Sequence, residues 1–395
     1  MSISAAPVGA RAVLRAPHVR TVLLATQVGR IPQASAPLAL LLFGRQTLSL
    51  ATAGLLVAGY TAGMAAGTPL LARAVDRRSQ PPVVLFASLL SAAGFLLVAA
   101  GAGGTGVLLA GAVVAGLGTP PLEACLRALW PAMVPPEAVT AAYALDIAAQ
   151  ELIFVVGPLV TLAAVALGGP AAGLIAAAVL QLAGSAVYAR TPAVRRWRGE
   201  AAVRHWSGPL RVPRFVLLIG GIAGVGAAVG SLPVALTGYA EAASNRSLAG
   251  WLLACQAVGA LIGGLLYTRA RPAGRRRLPL LTVAFAVGYL PLLLMPGAVA
   301  MAPLTALCGL ALPPLLTVVF LTADAVAPAG TVVEAFAWIA TAFAIGSAAG
   351  SALTGPLVDS GPRLGFAFAP VAGLLAVLLT ARAGRGTPDG IGGGQ

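Results

Sequence analysis

The chain has 395 residues, 59% of them apolar and only 9% charged, and its mean hydropathy is +0.93. Soluble domains carry about 25% charged residues, so a water-facing globule is excluded and the composition is that of an all-α polytopic membrane protein. The net charge of +14 comes from 25 basic residues, all arginine, against 11 acids, and its meaning depends on where the arginines fall.

Twelve apolar segments have the roughly 20-residue length of a membrane-spanning helix. A tail over 1–20 carries Arg11, Arg15 and Arg20. Span 1 covers 21–43 and holds Gln27, Arg30 and Gln33; Arg45 follows it. Span 2 covers 50–72 with Gly59, Gly63 and Gly67 at four-residue spacing, a spacing that lets helices approach closely. The loop Arg73 to Gln80 follows, then spans 82–101 and 105–126. Glu123, near the end of span 4, lies one turn from Arg127 and is expected to pair with it. Span 5, 138–165, contains Tyr143, Asp146, Gln150, Glu151, Gly157 and Pro158. Span 6 is 170–189, and an Arg-rich linker with His205 occupies 190–212. The second half holds spans 213–238, 248–268, 278–295, 300–323, 332–356 and 364–381, before a Gly-rich tail over 382–395 that is expected to be flexible. The first span is long and followed at once by another, so it is expected to stay in the membrane.

Basic residues flanking spans tend to stay on the cytoplasmic side. With the N-terminus inside, 21 arginines fall on that side, including Arg73, Arg77, Arg78, Arg127, Arg204, Arg271, Arg275, Arg276 and Arg385. Only Arg45, Arg246 and Arg363 fall outside. Both termini are therefore expected in the cytoplasm, with the arginines meeting anionic lipid heads and no nucleic acid.

The halves repeat. At an offset of 196, Pro37 meets Pro233, Gly63 and Gly67 meet Gly259 and Gly263, and Arg73 meets Arg269. At 193, Pro120-Pro121-Leu122 meets Pro313-Pro314-Leu315, and Gly157 meets Gly350. Two six-helix bundles in the same orientation follow, over 21–189 and 213–381, related by an axis along the membrane normal.

The loop Arg73-Ala74-Val75-Asp76-Arg77-Arg78 resembles the Asp-Arg loop between helices 2 and 3 of major facilitator transporters, with Ala72 and Ser79 where that family has glycines. The resemblance implies that Asp76 engages the cytoplasmic end of a helix in the C-terminal half and helps hold one access state. Gly157-Pro158 in span 5 is similar to the motif of antiporter members, and Pro158 can also bend its helix. The whole chain resembles a bacterial efflux-type facilitator of the drug or sugar-export kind. What this implies is a monomeric, multi-pass carrier in the cytoplasmic membrane, working by alternating access on a small organic molecule and protons.

Ionisable residues inside spans are costly, at about 2.5–3.5 kcal/mol each, and mark function. At a 1.5 Å rise per residue, Arg30 lies about 15 Å deep, with Asp146 and Glu151 at about 12 and 20 Å. A guanidinium stays charged, so Arg30 needs one of these acids as a partner. Five residues leave Asp146 and Glu151 about 140° apart; one can pair with Arg30 while the other faces the cavity, and the sequence leaves open which. A carboxylate whose pairing changes with access state would couple transport to protons. Gln27, Gln33, Tyr143, Gln150, Trp251, Gln256, Trp338 and Phe343 are the expected cavity groups.

The expected function is proton-coupled efflux, with proton-coupled uptake of a polar metabolite as the alternative and a non-transporting sensor or scaffold as a remote one. An enzyme is not expected: there is no lysine, both histidines (His18 and His205) lie in Arg-rich polar segments, and HExxH, GxSxG and Walker A patterns are missing. The cysteines (Cys125, Cys255 and Cys308) lack metal-ligand spacing, so neither a metal nor a cofactor is expected.

Overall fold

A computed structural model describes residues 9–101, 103–199, 207–245, 247–269 and 277–384. Arg204, His205, Arg246, Arg271, Arg275, Arg276 and residues 385–395 of the Gly-rich tail lie outside the described residues, whereas 382–384 continue helix α12 (Pro362–Gly384). The described residues are built from helices. The spanning ones are α1 (Val19–Gly44), α2 (Leu50–Arg77), α3 (Gln80–Ala99), α4 in two pieces (α4a Thr105–Leu117 and α4b Leu122–Met133), α5 (Val139–Gly168) and α6 (Pro170–Arg190). The second set is α7 (Pro213–Ala242), α8 (Ser247–Tyr267), α9 (Arg277–Gly288 with a 3-10 turn Leu290–Leu294), α10 (α10a Ala298–Leu310 and α10b Leu312–Val326), α11 (Val332–Ser360) and α12 (Pro362–Gly384).

Eleven of these spans are long and apolar enough to cross a membrane. Helix α1 is long enough at 26 residues, but Gln27, Arg30 and Gln33 reduce its apolarity. Leucines such as Leu24, Leu89, Leu159 and Leu374 point outward and are exposed, which suits contact with lipid chains. The helices form two six-helix bundles. Both α4 and α10 break at the paired prolines, Pro120-Pro121 and Pro313-Pro314, because proline lacks the N–H that an uninterrupted helix needs. Helix α5 runs unbroken through Pro158.

The repeat read from the sequence recurs in the packing. A Cβ on Gly63 or Gly67 of α2 would strike the carbonyls of Val113 and Leu117 on α4a. Their counterparts Gly259 and Gly263 on α8 meet Ala306 and Leu310 on α10a in the same way. Glycine at these positions lets the backbones touch.

Two boundaries differ from the sequence expectation, and both change where an arginine sits. Helix α2 continues through Arg77, so Arg73 sits on a helix and not in a loop. Helix α4b continues to Met133, past the expected end at 126. The apolar run is interrupted by Arg127 but resumes through Ala128-Leu129-Trp130, and Trp130 is fully buried. Arg127 is therefore an interior residue, contrary to its assignment to a flanking loop.

Candidate functional site

The first charged cluster lies where α1, α4b and α5 meet. Arg30 sits eleven residues into α1, and Glu123 lies ten residues before the end of α4b. Asp146 sits seven residues into α5. These helix ends lie on the face where α1 begins and α12 ends, hereafter the termini face, so the three side chains reach one level. Arg30 Nη1 donates to Asp146 Oδ1 at 3.0 Å, and Nη2 lies 3.1 Å from Glu123 Oε2. Arg127 Nε reaches Asp146 Oδ2 at 3.0 Å, and its Nη1 pairs with Glu123 Oε1 one turn away. Each carboxylate thus bridges both guanidiniums, closing a ring of two positive and two negative groups. Arg127 Nη2 also donates to Gln150 Oε1 at 3.3 Å. Arg30 and Asp146 are fully buried, and Glu123 alone keeps some exposure, at 16% of its side chain.

The ring decides between the two acids offered to Arg30. Asp146 takes that role, together with Glu123, and Glu151 does not. Because α4b extends to Met133, Glu123 lies deep enough to reach Arg30, where the sequence placed it near the interface. Glu151 is half-buried on α5 and makes no hydrogen bond or ion pair among the described residues.

The bearing of Glu151 follows from its neighbours on α5. At about 100° per residue it points between Tyr143 and Ala148. Tyr143 stacks on Phe320 of α10b, and Gly264 of α8 packs against Ala148. Glu151 therefore points toward the second bundle. Along that stripe Tyr143 and Ile147 are buried, Glu151 is half-buried and Phe154 is 56% exposed. Exposure along that stripe rises with distance from the termini face.

An aromatic cluster lies between the bundles beside the ring. The guanidinium of Arg127 lies 3.7 Å from the centre of the Phe320 ring, a cation–π contact. Phe336 packs edge-on against both Phe320 and Tyr143. The Tyr143 hydroxyl donates to the Arg127 carbonyl at 3.2 Å. These residues join the first bundle to the second.

A second interbundle contact lies nearer the termini face. Asp76 Oδ1 accepts from the backbone N–H of Val333 at 3.2 Å, and Oδ2 from that of Glu334 at 2.8 Å. The carboxylate caps the first turn of α11, where the helix dipole is positive and the N–H groups lack partners within the helix. Arg73 Nη2 donates to Glu334 Oε1 at 2.5 Å, and Trp338 Nε1 donates to the same oxygen at 3.4 Å. At the opposite face no hydrogen bond or ion pair joins the bundles among the described residues. The structure is closed at the termini face.

The remaining sequence candidates separate. Gln27 lies one turn from Arg30, and its buried amide has no hydrogen-bond partner among the described residues. Gln33 and Gln256 are half-buried, whereas Trp251 is 71% exposed near the start of α8. Phe343 is half-buried, and its carbonyl faces Gly226. Gly157 packs on Ala34 and Ser35 of α1, and Arg77 is exposed. Sequence reasoning missed Arg127, Phe320 and Phe336 as members of the site. The signal for Arg127 was present in the apolar residues after it, which carry α4b for another turn and a half.

The Major Facilitator Superfamily model matches residues 23–350. A bacterial homologue of the iron transporter ferroportin, in an outward-facing state, superposes with a TM-score of 0.69 at 18% identity, over 92% of this chain and 98% of that one. The E. coli fucose:proton symporter gives 0.70 at 14% identity over 93% and 99%. The human organic anion transporter MFSD10 gives 0.58 at 16% over 91% and 97%. No curated protein matches the chain. At these identities the solved structures share the fold, while the family model runs from α1 into α11: the chain belongs to the Major Facilitator Superfamily.

Proposed function

We propose that this secondary transporter exports a small organic molecule from the cytoplasm in exchange for protons, with Glu151 as the proton-carrying carboxylate. The termini face is the cytoplasmic face in this reading, since most arginines flank it. The state described here is then outward-facing, closed below by Asp76, Arg73, Glu334 and the aromatic cluster. Gln27, Gln33, Gln150 and Gln256 supply polar cavity groups, and Trp338 and Phe343 apolar ones.

The observation that carries the proposal is the difference between the carboxylates within the spans. Glu123 and Asp146 are each held by two arginines, so neither can take a proton without leaving a guanidinium underpaired in a dry site. Glu151 has no such partner among the described residues, is half-buried and points toward the second bundle. It can take a proton from outside, carry it through the rocking motion, and release it inside as substrate binds.

The test uses purified protein in proteoliposomes with an imposed pH gradient. Glu151→Gln is expected to abolish concentrative transport while preserving exchange of substrate at equal concentrations. Concentrative transport that survives in this variant overturns the role of Glu151. The fold neighbour described as a fucose:proton symporter favours a second reading, uptake of a polar metabolite with protons. Substrate accumulation inside vesicles driven by inward proton flow, with the protein inserted cytoplasmic side in, selects that reading.

A further inference from the structure

We propose that the turn Gly208–Arg211, at the described C-terminal end of the linker, is a working part of the cytoplasmic gate, with Gly208 as a positioning residue for Glu334. The inference rests on the reading of Asp76, Arg73 and Glu334 as that gate, and not on proton coupling.

Both described ends of the linker are seated at the gate, on opposite sides. The short helix Pro192–Arg196 packs on α3, α4b and α6 of the first bundle. Beyond it Gly199 lies over Asp76: a Cβ there would come 2.7 Å from the Asp76 carbonyl oxygen. The turn Gly208–Arg211 packs on α7 and α11 of the second bundle. Gly208 is buried and adopts φ +54°, in the left-handed region that glycine enters freely. A Cβ on it would come 2.7 Å from both carboxylate oxygens of Glu334.

The close approach explains why Glu334 is only 3% exposed at a helix end while its partner Arg73 remains 29% exposed. The linker backbone covers the carboxylate on the side that Arg73 and Trp338 leave open. Covering it removes water from the pair, which strengthens the attraction between the charges. A side chain at position 208 would push Glu334 away from Arg73 and weaken the closed gate. Glycine is therefore required twice, once by the backbone angle and once by the space beside Glu334.

The experiment measures gate opening by electron–electron distance spectroscopy in lipid nanodiscs. Spin labels go on Arg78→Cys and Ala329→Cys, exposed positions on opposite sides of the gate, in a Cys255→Ala background; the other cysteines are buried. Glu334→Gln is expected to raise the open-to-closed ratio about tenfold, a shift that a single lost gate contact can produce. Gly208→Ala and Gly208→Asn are each expected to raise it comparably, and neither should add to Glu334→Gln.

Asparagine tolerates a left-handed backbone far better than alanine, yet both carry a Cβ. A silent Gly208→Asn would assign the effect to backbone strain and overturn the proposal. Additive shifts in the Glu334→Gln background would overturn it as well. If Glu334→Gln leaves the gate closed, the gate reading itself fails; if it opens the gate while Gly208→Asn and Gly208→Ala do not, only the linker inference fails. Leu210→Asn loosens the packed turn without touching position 208, and serves where Gly208→Ala fails to fold. It is expected to open the gate in the same direction, and no shift from it would also overturn the proposal.

Discussion

At the crossing of α1 and α5 the first bundle fills its interior with charge, whereas the equivalent crossing of α7 and α11 has none. The repeat offsets place Gly226 at the position of Arg30, and Leu316, Phe320, Ile339 and Phe343 at those of Glu123, Arg127, Asp146 and Gln150. In the second bundle a Cβ on Gly226 would strike the Phe343 carbonyl, and one on Gly346 or Gly350 the carbonyls of Ala223 and Ala227. The helices there are held by direct backbone contact. In the first bundle four ionised side chains occupy the same space. One architecture thus tolerates two interiors, because each satisfies the same requirement: no polar group may face hydrocarbon unpaired.

The equivalent positions also meet each other. Arg127 stacks on its own counterpart Phe320, and Tyr143 packs on its counterpart Phe336. A near-twofold axis between the bundles brings equivalent residues together only close to itself, so these four mark where the axis passes. The charged half meets the apolar half there through a cation–π contact, which leaves Arg127 still paired with both acids.

This contrast can be broken most severely at the ring. Asp146→Asn leaves two arginines sharing one carboxylate in a dry site, and removing one partner of a buried pair costs about 3–5 kcal/mol. A large fall in the thermal unfolding midpoint in detergent is expected. The fourfold replacement Arg30→Gly, Glu123→Leu, Arg127→Phe and Asp146→Ile copies the second bundle into the first and should be more stable than Asp146→Asn alone. A fourfold variant less stable than the single one would show that the two interiors are not interchangeable.

The glycine side is expected to break less severely. Gly226→Ala or Gly350→Ala forces backbones apart and should lower stability by about 1–3 kcal/mol, the usual range for overpacking. The same midpoint measurement checks it, and an unchanged midpoint would mean that the α7–α11 contact gives way easily.

Between the bundles the effect should be smaller again. Asp76→Asn keeps an acceptor at the start of α11 but loses the charge, and helix-terminus charges are worth about 0.3–1 kcal/mol. A two- to fivefold rise in the open fraction at the termini face is expected from the same label pair. Glu151→Gln should move the unfolding midpoint least, within the roughly 0.5 kcal/mol of sites with no structural partner. A midpoint loss comparable to that of Asp146→Asn would reveal a structural role for Glu151.

Arg30 and its need for an acid were legible because a charge in an apolar span stands out against its neighbours. Glu151 and Asp146 could be separated by helical angle but not assigned, since angle alone does not say which helix lies beside which. Ending an apolar run at a charge puts Arg127 in a flanking loop, whereas α4b continues through Trp130. Residue type alone suggests Trp251 for the cavity, but it lies exposed near the start of α8.

Composition and the ordered recurrence of glycine and proline determined the membrane class, the spanning segments and the twofold repeat. These are properties of segment length and local backbone chemistry, and they survive without knowledge of neighbours. Tertiary structure alone decided that two arginines and two acids close one ring, which helix of the second bundle Asp76 caps, and that Glu151 makes no ion pair among the described residues. Each of these depends on side chains from helices distant in sequence arriving at one depth. That arrival is set by where helices end and how they cross, which hydropathy along a single chain does not encode.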